Sequence, residues 1–457
     1  MSNDFEANLS EVGYAKVIVV LDDSAKLNAV GAAATPLDAH FVIPDDVQAE
    51  RLGFVAARAA STTPSRPRPV PKVRVYETLG LAIGYVDRAG ADSLAADSRV
   101  RTLVPAPEIS LVRPVDVSDA AAATTQSWGL ARIRAPALWA AGFTGKGVLV
   151  GHLDTGIDGT HPALRTAIKE FAEFDMVGER VRGAKPTDSD RITPAHGTHT
   201  AGTIAGRPTP KGIVGVAPDA MLLSGMVIEG GQVIDRILSG MEWVASKRAR
   251  ILSMSLGIRG FTPAFQVVID ALRRNNILPV IAVGNEGPLK SRSPGNYANV
   301  VSVGAMNRVD MVADFSGSQT FNRPGDPLVP DLAAPGVDVV SCGPKNSYVK
   351  MSGSSMATPH VAGIAALLVQ AKPAATVDEL ESAIFAACIL PSNMLQERAN
   401  RGVPDAVVAF TKLTGKAPVA APGGAPKAAP GRKAKTAKKS KTAKKSKKSK
   451  KSKKARR

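Results

Sequence analysis

The sequence predicts an α/β protein with a largely parallel sheet, preceded by a small α+β unit. Three observations carry this. Between about residues 127 and 414, short apolar runs alternate with stretches of helical period, the pattern of β-α units around a parallel sheet. The first 120 or so residues instead hold several strand-like runs and few helical ones. Finally, 44% of the 457 residues are hydrophobic, enough to bury the cores of two or three domains.

In the N-terminal unit, Ala15 to Leu21, Val73 to Glu77, Leu79 to Asp87 and Arg99 to Val104 read as strands, with helices near Asp45 to Ala60 and Arg88 to Ala96. The prolines of Ser61 to Lys72 exclude that stretch from a sheet, so it is an exposed loop. Val115 to Gln126 is small and polar without apolar period and reads as a linker or processing site. Beyond it, Val148 to Asp154, Met221 to Ile228, Ala249 to Leu256, Ile277 to Val283, Val300 to Ala305 and Val337 to Ser341 are the expected strands. Helical spacing links Ile234, Ile237, Leu238, Met241 and Val244, and again Val267, Val268, Ala271 and Leu272. A late helix opens with a capping box at Thr376 and Glu379 and turns Leu380, Ile384 and Ala387 inward. The expected division is 1–120, 121–415 and 416–457, the last an Ala/Pro/Lys-rich disordered tail that repeats TAKKSK twice.

The net charge of +18 resides in that tail. Arg432 to Arg457 contains 16 Lys+Arg and no acid, while the rest of the chain carries 42 basic and 40 acidic side chains. With only 12 Phe, 5 Tyr and 3 Trp, a base-stacking platform is excluded for the body, and the tail is the candidate contact to nucleic acid or another polyanion. Cys342 and Cys388 make no disulfide framework. No apolar run reaches the length of a membrane span, and Met1 to Ala15 lacks the form of a Sec signal. The expectation is a monomer that is cytoplasmic or exported by a non-Sec route.

Four segments lie where α/β proteins place their sites, at strand ends and helix starts. LDTGID delivers Asp154 and turns at Gly156; HGTHTAGTIAG opens with His196; AVGNEG ends a strand at Asn285; GSSMATPHVAG sets Ser355 before a helix with Pro359 in its first turn. A serine hydroxyl needs an imidazole to take its proton and a carboxylate to orient that imidazole, and Asp154, His196 and Ser355 supply these types. Asn285 and the helix N-terminus at Ser355 supply donors for an oxyanion. Each segment alone is an ordinary turn, core histidine or helix cap; their joint order is not. His196 and His199 lack a third zinc ligand at set spacing, and GFTGKG lacks P-loop spacing.

The segments DTGID, HGTHTAGT, SMSLG, AVGNEG, LAAPG and GSSMATPHVAG resemble subtilisin-like serine proteases, from about Gln126 to Phe410. The resemblance implies a three-layer subtilisin-like catalytic domain, with Asp154, His196 and Ser355 as triad and Asn285 as oxyanion amide. It implies substrate pairing along Ser253, Ser255, Leu256 and Gly257, with Gly257 leaving room for a substrate side chain and Gly284 beside it. Asp158, His199 and Ser354 are then structural. The first unit resembles a propeptide, an intramolecular inhibitor and folding aid removed by self-processing between about Pro105 and Gln126. No cofactor is implied; the family's usual calcium positions fall on Thr209 and Ala163, and an alanine side chain offers no oxygen, although Gln126 matches one ligand. The activity implied is endopeptidase cleavage of extended polypeptides; the alternative is a polyanion-binding protein on an inactive protease scaffold.

Overall fold

A computed structural model describes residues 3–22, 36–45, 71–120, 126–190, 192–193, 195–228 and 233–420. Most of the expected helix over Asp45 to Ala60, most of the Ser61 to Lys72 loop and the tail from residue 421 onward lie outside them.

The main sheet has seven strands, all paired in parallel. From one edge they run Leu332–Pro335, Val301–Met306, Leu278–Ala282, Ile251–Met254, Leu149–Asp154, Met221–Met226 and Ile168–Glu173. Its strands are buried on both faces, because neighbouring residues point to opposite sides and both sides are covered. Val150, Leu222 and Ile251 join one apolar cluster with helices His196–Ala205 and Ser354–Ala371. Leu153, Leu223 and Leu252 join the other with Ile234–Ser246 and Gln266–Arg274. The fold is a three-layer α/β structure.

Two edges depart from the sequence reading. Val339–Cys342 is not in the main sheet; it pairs antiparallel with Tyr348–Ser352, and Leu332–Pro335 takes the edge place instead. An edge strand tolerates a terminal proline, which conceals it in sequence. Ile168–Glu173 forms the opposite edge. Part of the expected linker is also ordered: Asp116–Asp119 adds to Tyr348–Ser352 as a third strand. Small polar residues suit an exposed edge, whose strength is main-chain pairing.

Ser354–Ala371 is buried from Ser354 to Val369. It starts earlier than expected, so Pro359 is its sixth residue and denies the Ser355 carbonyl its helical N–H. The Ser255 hydroxyl donates to that carbonyl at 3.3 Å. The capping box at Thr376 and Glu379 forms both of its bonds.

The N-terminal unit is a four-stranded antiparallel sheet in the order Val73–Tyr76, Leu81–Val86, Ala15–Leu21, Val100–Pro105. Val17, Val19, Ala82 and Val86 face a small core with Phe5, Phe41 and Leu94. Ile18, Val20, Leu81 and Ile83 point the other way and join the cluster of the Ile234–Ser246 and Gln266–Arg274 helices. At ~1.5–3 kcal/mol for each fully buried aliphatic side chain, this face dominates the docking. The nearby Lys16–Asp235 ion pair, largely buried, contributes less because the desolvation of both charges offsets their attraction. Glu242 adds direction, since its carboxylate accepts Thr78 N–H at 2.9 Å and Leu79 N–H at 3.0 Å.

Glu242→Ala is expected to loosen this docking by about 1.5–3 kcal/mol, the range for hydrogen bonds to a charged acceptor. Amide exchange in Ala15–Leu21 and Leu81–Val86 should accelerate while the main sheet is unaffected; equal protection in both would show that the apolar face alone holds the unit.

Candidate active site

Strand order reverses beside Leu149–Asp154: the next two strands in sequence lie on one side and all later ones on the other. Connections diverge there and leave a crevice at the strand ends. Asp154 ends the strand at this point, 2% exposed. Gly156 then turns at φ +110°, where a Cβ would lie 2.1 Å from the Thr187 carbonyl oxygen.

His196 is the first residue of its helix, and its Nδ1 lies 2.7 Å from Asp154 Oδ1. The carboxylate also accepts Thr155 N–H at 2.7 Å and the Thr200 hydroxyl at 3.1 Å. Behind it, His152 Nε2 is 2.9 Å from Thr200 Oγ1 and Nδ1 is 3.1 Å from Ser224 Oγ. With the Thr200 proton directed to the carboxylate, His152 must donate from Nε2. The sequence analysis missed His152, Thr200 and Ser224. The signal was a histidine within the apolar strand LVGHLD, in a sheet whose two faces are both covered.

Burial works against charge on both triad candidates, and their mutual attraction outweighs it. Asp154 is held below the ordinary carboxylate pKa by the His196 ring and by bonds from His196 and Thr155. His196 is held above the ordinary histidine value by Asp154, with Asp190 and Asp188 adding to it. Burial instead lowers His152 to about 4, His199 to about 3 and His360 to about 4. Asp188, raised by burial, accepts from Thr155 Oγ1 and from the Thr198 N–H and hydroxyl, each at 2.7 Å.

Ser355 lies in the first turn of its buried helix. Its hydroxyl donates to the Val112 carbonyl, not to His196, and among the described residues His196 Nε2 has no hydrogen-bond partner. Asn285 is fixed by Ser354, whose N–H and hydroxyl reach Asn285 Oδ1 at 2.8 and 2.9 Å. An N–H can only donate, so Oδ1 faces the helix and Nδ2 faces the cleft, where it donates to the Arg113 carbonyl at 2.8 Å. His199 Nε2 bonds the Val339 carbonyl, and Asp158 accepts from Thr160 and Lys345 N–H groups.

The cleft is occupied by the chain itself. Ser110–Leu111 pairs antiparallel with Leu256–Arg259, Leu111 opposite Leu256 and Ser110 opposite Gly257. Val112 N–H continues the pairing to the Ser255 carbonyl at 2.9 Å, and Val115 N–H bonds the Ser352 carbonyl. The expected pairing run Ser253 to Gly257 is therefore divided. Ser253 lies inside the parallel sheet between His152 and Val280, and only the part from Ser255 onward meets the segment. Gly284 is at φ +115° beside it, its carbonyl accepting from the Ser354 hydroxyl.

The residues at the family's calcium positions do not fit that ion. Ala163 is an apolar core residue, and the Thr209 hydroxyl is engaged by Tyr348 at 2.9 Å. Among the described residues no group of three or more His, Cys, Asp or Glu side chains is arranged to hold a metal ion, and no helix is long and apolar enough to cross a membrane.

The electrostatics predict different titrations for the buried histidines. Because Asp154 raises His196, that ring is expected to lose its proton above pH 6.5, whereas His152, His199 and His360 stay neutral down to pH 5. NMR of the ring signals reads this directly, and Asp154→Asn should shift the His196 transition downward. A His196 transition unmoved by Asp154→Asn would contradict the pairing.

The family model described as the subtilase family, Peptidase_S8, matches residues 145–445. Subtilisin BL of Lederbergia lenta is 39% identical over 248 residues, 54% of this chain and 85% of that protein. Subtilisin E of Bacillus subtilis is 34% identical over 308 residues, 65% of this chain and 75% of that protein. Subtilisin of Bacillus pumilus is 36% identical over 265 residues, 56% of this chain and 90% of that protein. The chain belongs to the subtilase family and is a serine endopeptidase.

Proposed function

We propose that Asp154, His196 and Ser355 form the catalytic triad, that Asn285 stabilises the oxyanion, and that the protein is a self-processing zymogen whose first substrate is its own Val112–Arg113 bond. The main support is the backbone at Val112: its N–H is held by the Ser255 carbonyl while its own carbonyl accepts the Ser355 hydroxyl. That is a strand-added peptide presented to a nucleophile.

In this mechanism Ser355 Oγ bonds to the Val112 carbonyl carbon as its proton passes to His196 Nε2. Nε2 is free to accept because Nδ1–H is donated to Asp154. The developing charge falls on the Val112 oxygen. Asn285 Nδ2, which lies on the next carbonyl in the uncut chain, turns to it along with the N–H groups at the Ser355 helix start. The C–N bond to Arg113 breaks, and the amine leaves with the proton from His196. Water then gives a proton to His196, its hydroxide displaces Oγ from the acyl carbon, and Ser355 recovers the proton. Asp154 stays ionised and holds the ring in one tautomer. Other substrates enter as extended strands once the N-terminal unit has left.

Ser355→Ala is expected to abolish turnover of unstructured protein and to leave the chain uncut, with the fold intact because one hydroxyl is lost and no core volume. Wild-type protein should yield a new N-terminus at Arg113. Hydrolysis by the pure mutant would refute the triad, and an active wild-type chain without a cut between Pro105 and Gln126 would refute self-processing.

The basic tail supports a further part of this reading. Sixteen Lys+Arg between Arg432 and Arg457, without acids or aromatics, suit sequence-independent binding of a polyanion such as nucleic acid. Lysines hold phosphates as point charges and read no bases. Truncation after Gly431 should abolish retention on duplex DNA at low salt and leave hydrolysis of a small uncharged peptide unchanged; equal retention would remove the tail's role.

A further inference from the structure

The proposed cleavage reading leaves open which side chain the cleft accepts just before the cut bond, and one buried arginine answers it. Along the cleft segment, side chains alternate. Ile109 and Leu111 enter the apolar cluster shared by the sheet and the Ile234–Ser246 helix. Ser110 and Val112 therefore point to the other side, where Gly257 and Gly284 would leave a slot.

That slot is filled. A Cβ at Gly257 would lie 3.0 Å from Arg292 Cβ, and one at Gly284 would lie 3.1 Å from Arg292 Cγ and 2.6 Å from Glu286 Oε2. The aliphatic stem of Arg292 thus lies against both glycines, 5% exposed. Its guanidinium is fixed at every reach. Nε donates to Glu286 Oε1 at 2.8 Å, Nη2 donates to the same oxygen, and Nη1 donates to Ser110 Oγ at 3.0 Å and to the Gly257 carbonyl at 3.4 Å. A half-buried carboxylate paired with a buried guanidinium holds the plug in place, because displacing either partner strands a charge. The Glu286 carboxyl is kept below its ordinary value, its burial outweighed by Arg292.

We propose that Arg292 is a specificity-determining residue that shortens the pocket for the residue on the acyl side of the cut bond, so that the enzyme takes small uncharged side chains, alanine to valine, and rejects aromatic and long ones. This rests on the proposed cleavage at Val112, a residue of that size. The plug is neutralised by Glu286, so it sets size and does not recruit acidic substrates.

The test is digestion of reduced, denatured casein by the self-processed enzyme, with cut bonds mapped by mass spectrometry, followed by rates on peptides Ile-Ser-Leu-X-p-nitroanilide. Small residues should dominate the mapped sites, and kcat/KM for X = Ala or Val should exceed that for X = Phe by at least about tenfold. Arg292→Gly combined with Glu286→Gln, which empties the slot without stranding a charge, should reverse the ratio. Aromatic residues at the cut sites in proportion to their abundance would overturn the inference even if the double variant failed to fold, and so would a Phe/Ala ratio unchanged in a folded variant. Absence of any casein cleavage would instead overturn the proposed function itself.

Discussion

The reversal of strand order beside Asp154 is the constraint on which the rest of the site depends. Successive crossovers on one side of a parallel strand would cover its C-terminal end. Here the chain adds two strands on one side of Leu149–Asp154 and the rest on the other, so the end carrying Asp154 and the neighbouring Ser255 opens into a crevice. The His196 and Ser354 helices pack on the same face of the sheet, which brings both starts to that crevice. The strand run continues past the sheet as Leu256–Arg259, along whose edge the chain's own Ser110–Leu111 pairs.

An ionised carboxylate at that position is costly unless its oxygens are occupied. Three donors meet Asp154, from His196, Thr155 and Thr200. The outer layer is neutral: His152, kept uncharged by burial, orients the Thr200 hydroxyl without competing for the charge. Ser354 does the same for Asn285 by taking its oxygen and leaving its amide to the cleft. On the proposed reading the chemistry is borne by few groups, each set by a buried neighbour that does not react.

The central strands and the capped helices were legible because each is long enough to show its period. Ala15–Leu21 and Arg88–Ala96 have the expected bounds, and the Thr376 capping box forms as expected. The misses are physical in origin. Leu332–Pro335 is a four-residue edge strand that ends in proline, and Asp116–Asp119 is one with little apolar content; the existence of each is decided by a partner far along the chain. The candidate site residues were recognised by their place in motifs. Their supports were not, since Thr200, Ser224 and His152 meet only after folding. Arg292 was hidden for the same reason: a glycine reads as space in sequence, and only the fold shows what fills it.

On the proposed reading, the filled cleft also follows from tethering. The segment Ile109–Val115 enters from a sheet already docked through Ile18, Val20, Leu81 and Ile83, so its effective concentration at the cleft is of millimolar order or above and a few main-chain bonds suffice to hold it. Cutting at Val112 separates two pieces with different fates. Downstream, Asp116–Asp119 remains paired to Tyr348–Ser352 as part of the catalytic body. Upstream, Ser110 and Leu111 stay joined to the docked sheet, which leaves only by exposing that whole apolar face. Cleavage and release are therefore distinct steps: the first is decided by one hydroxyl and one carbonyl, the second by the area of a sheet.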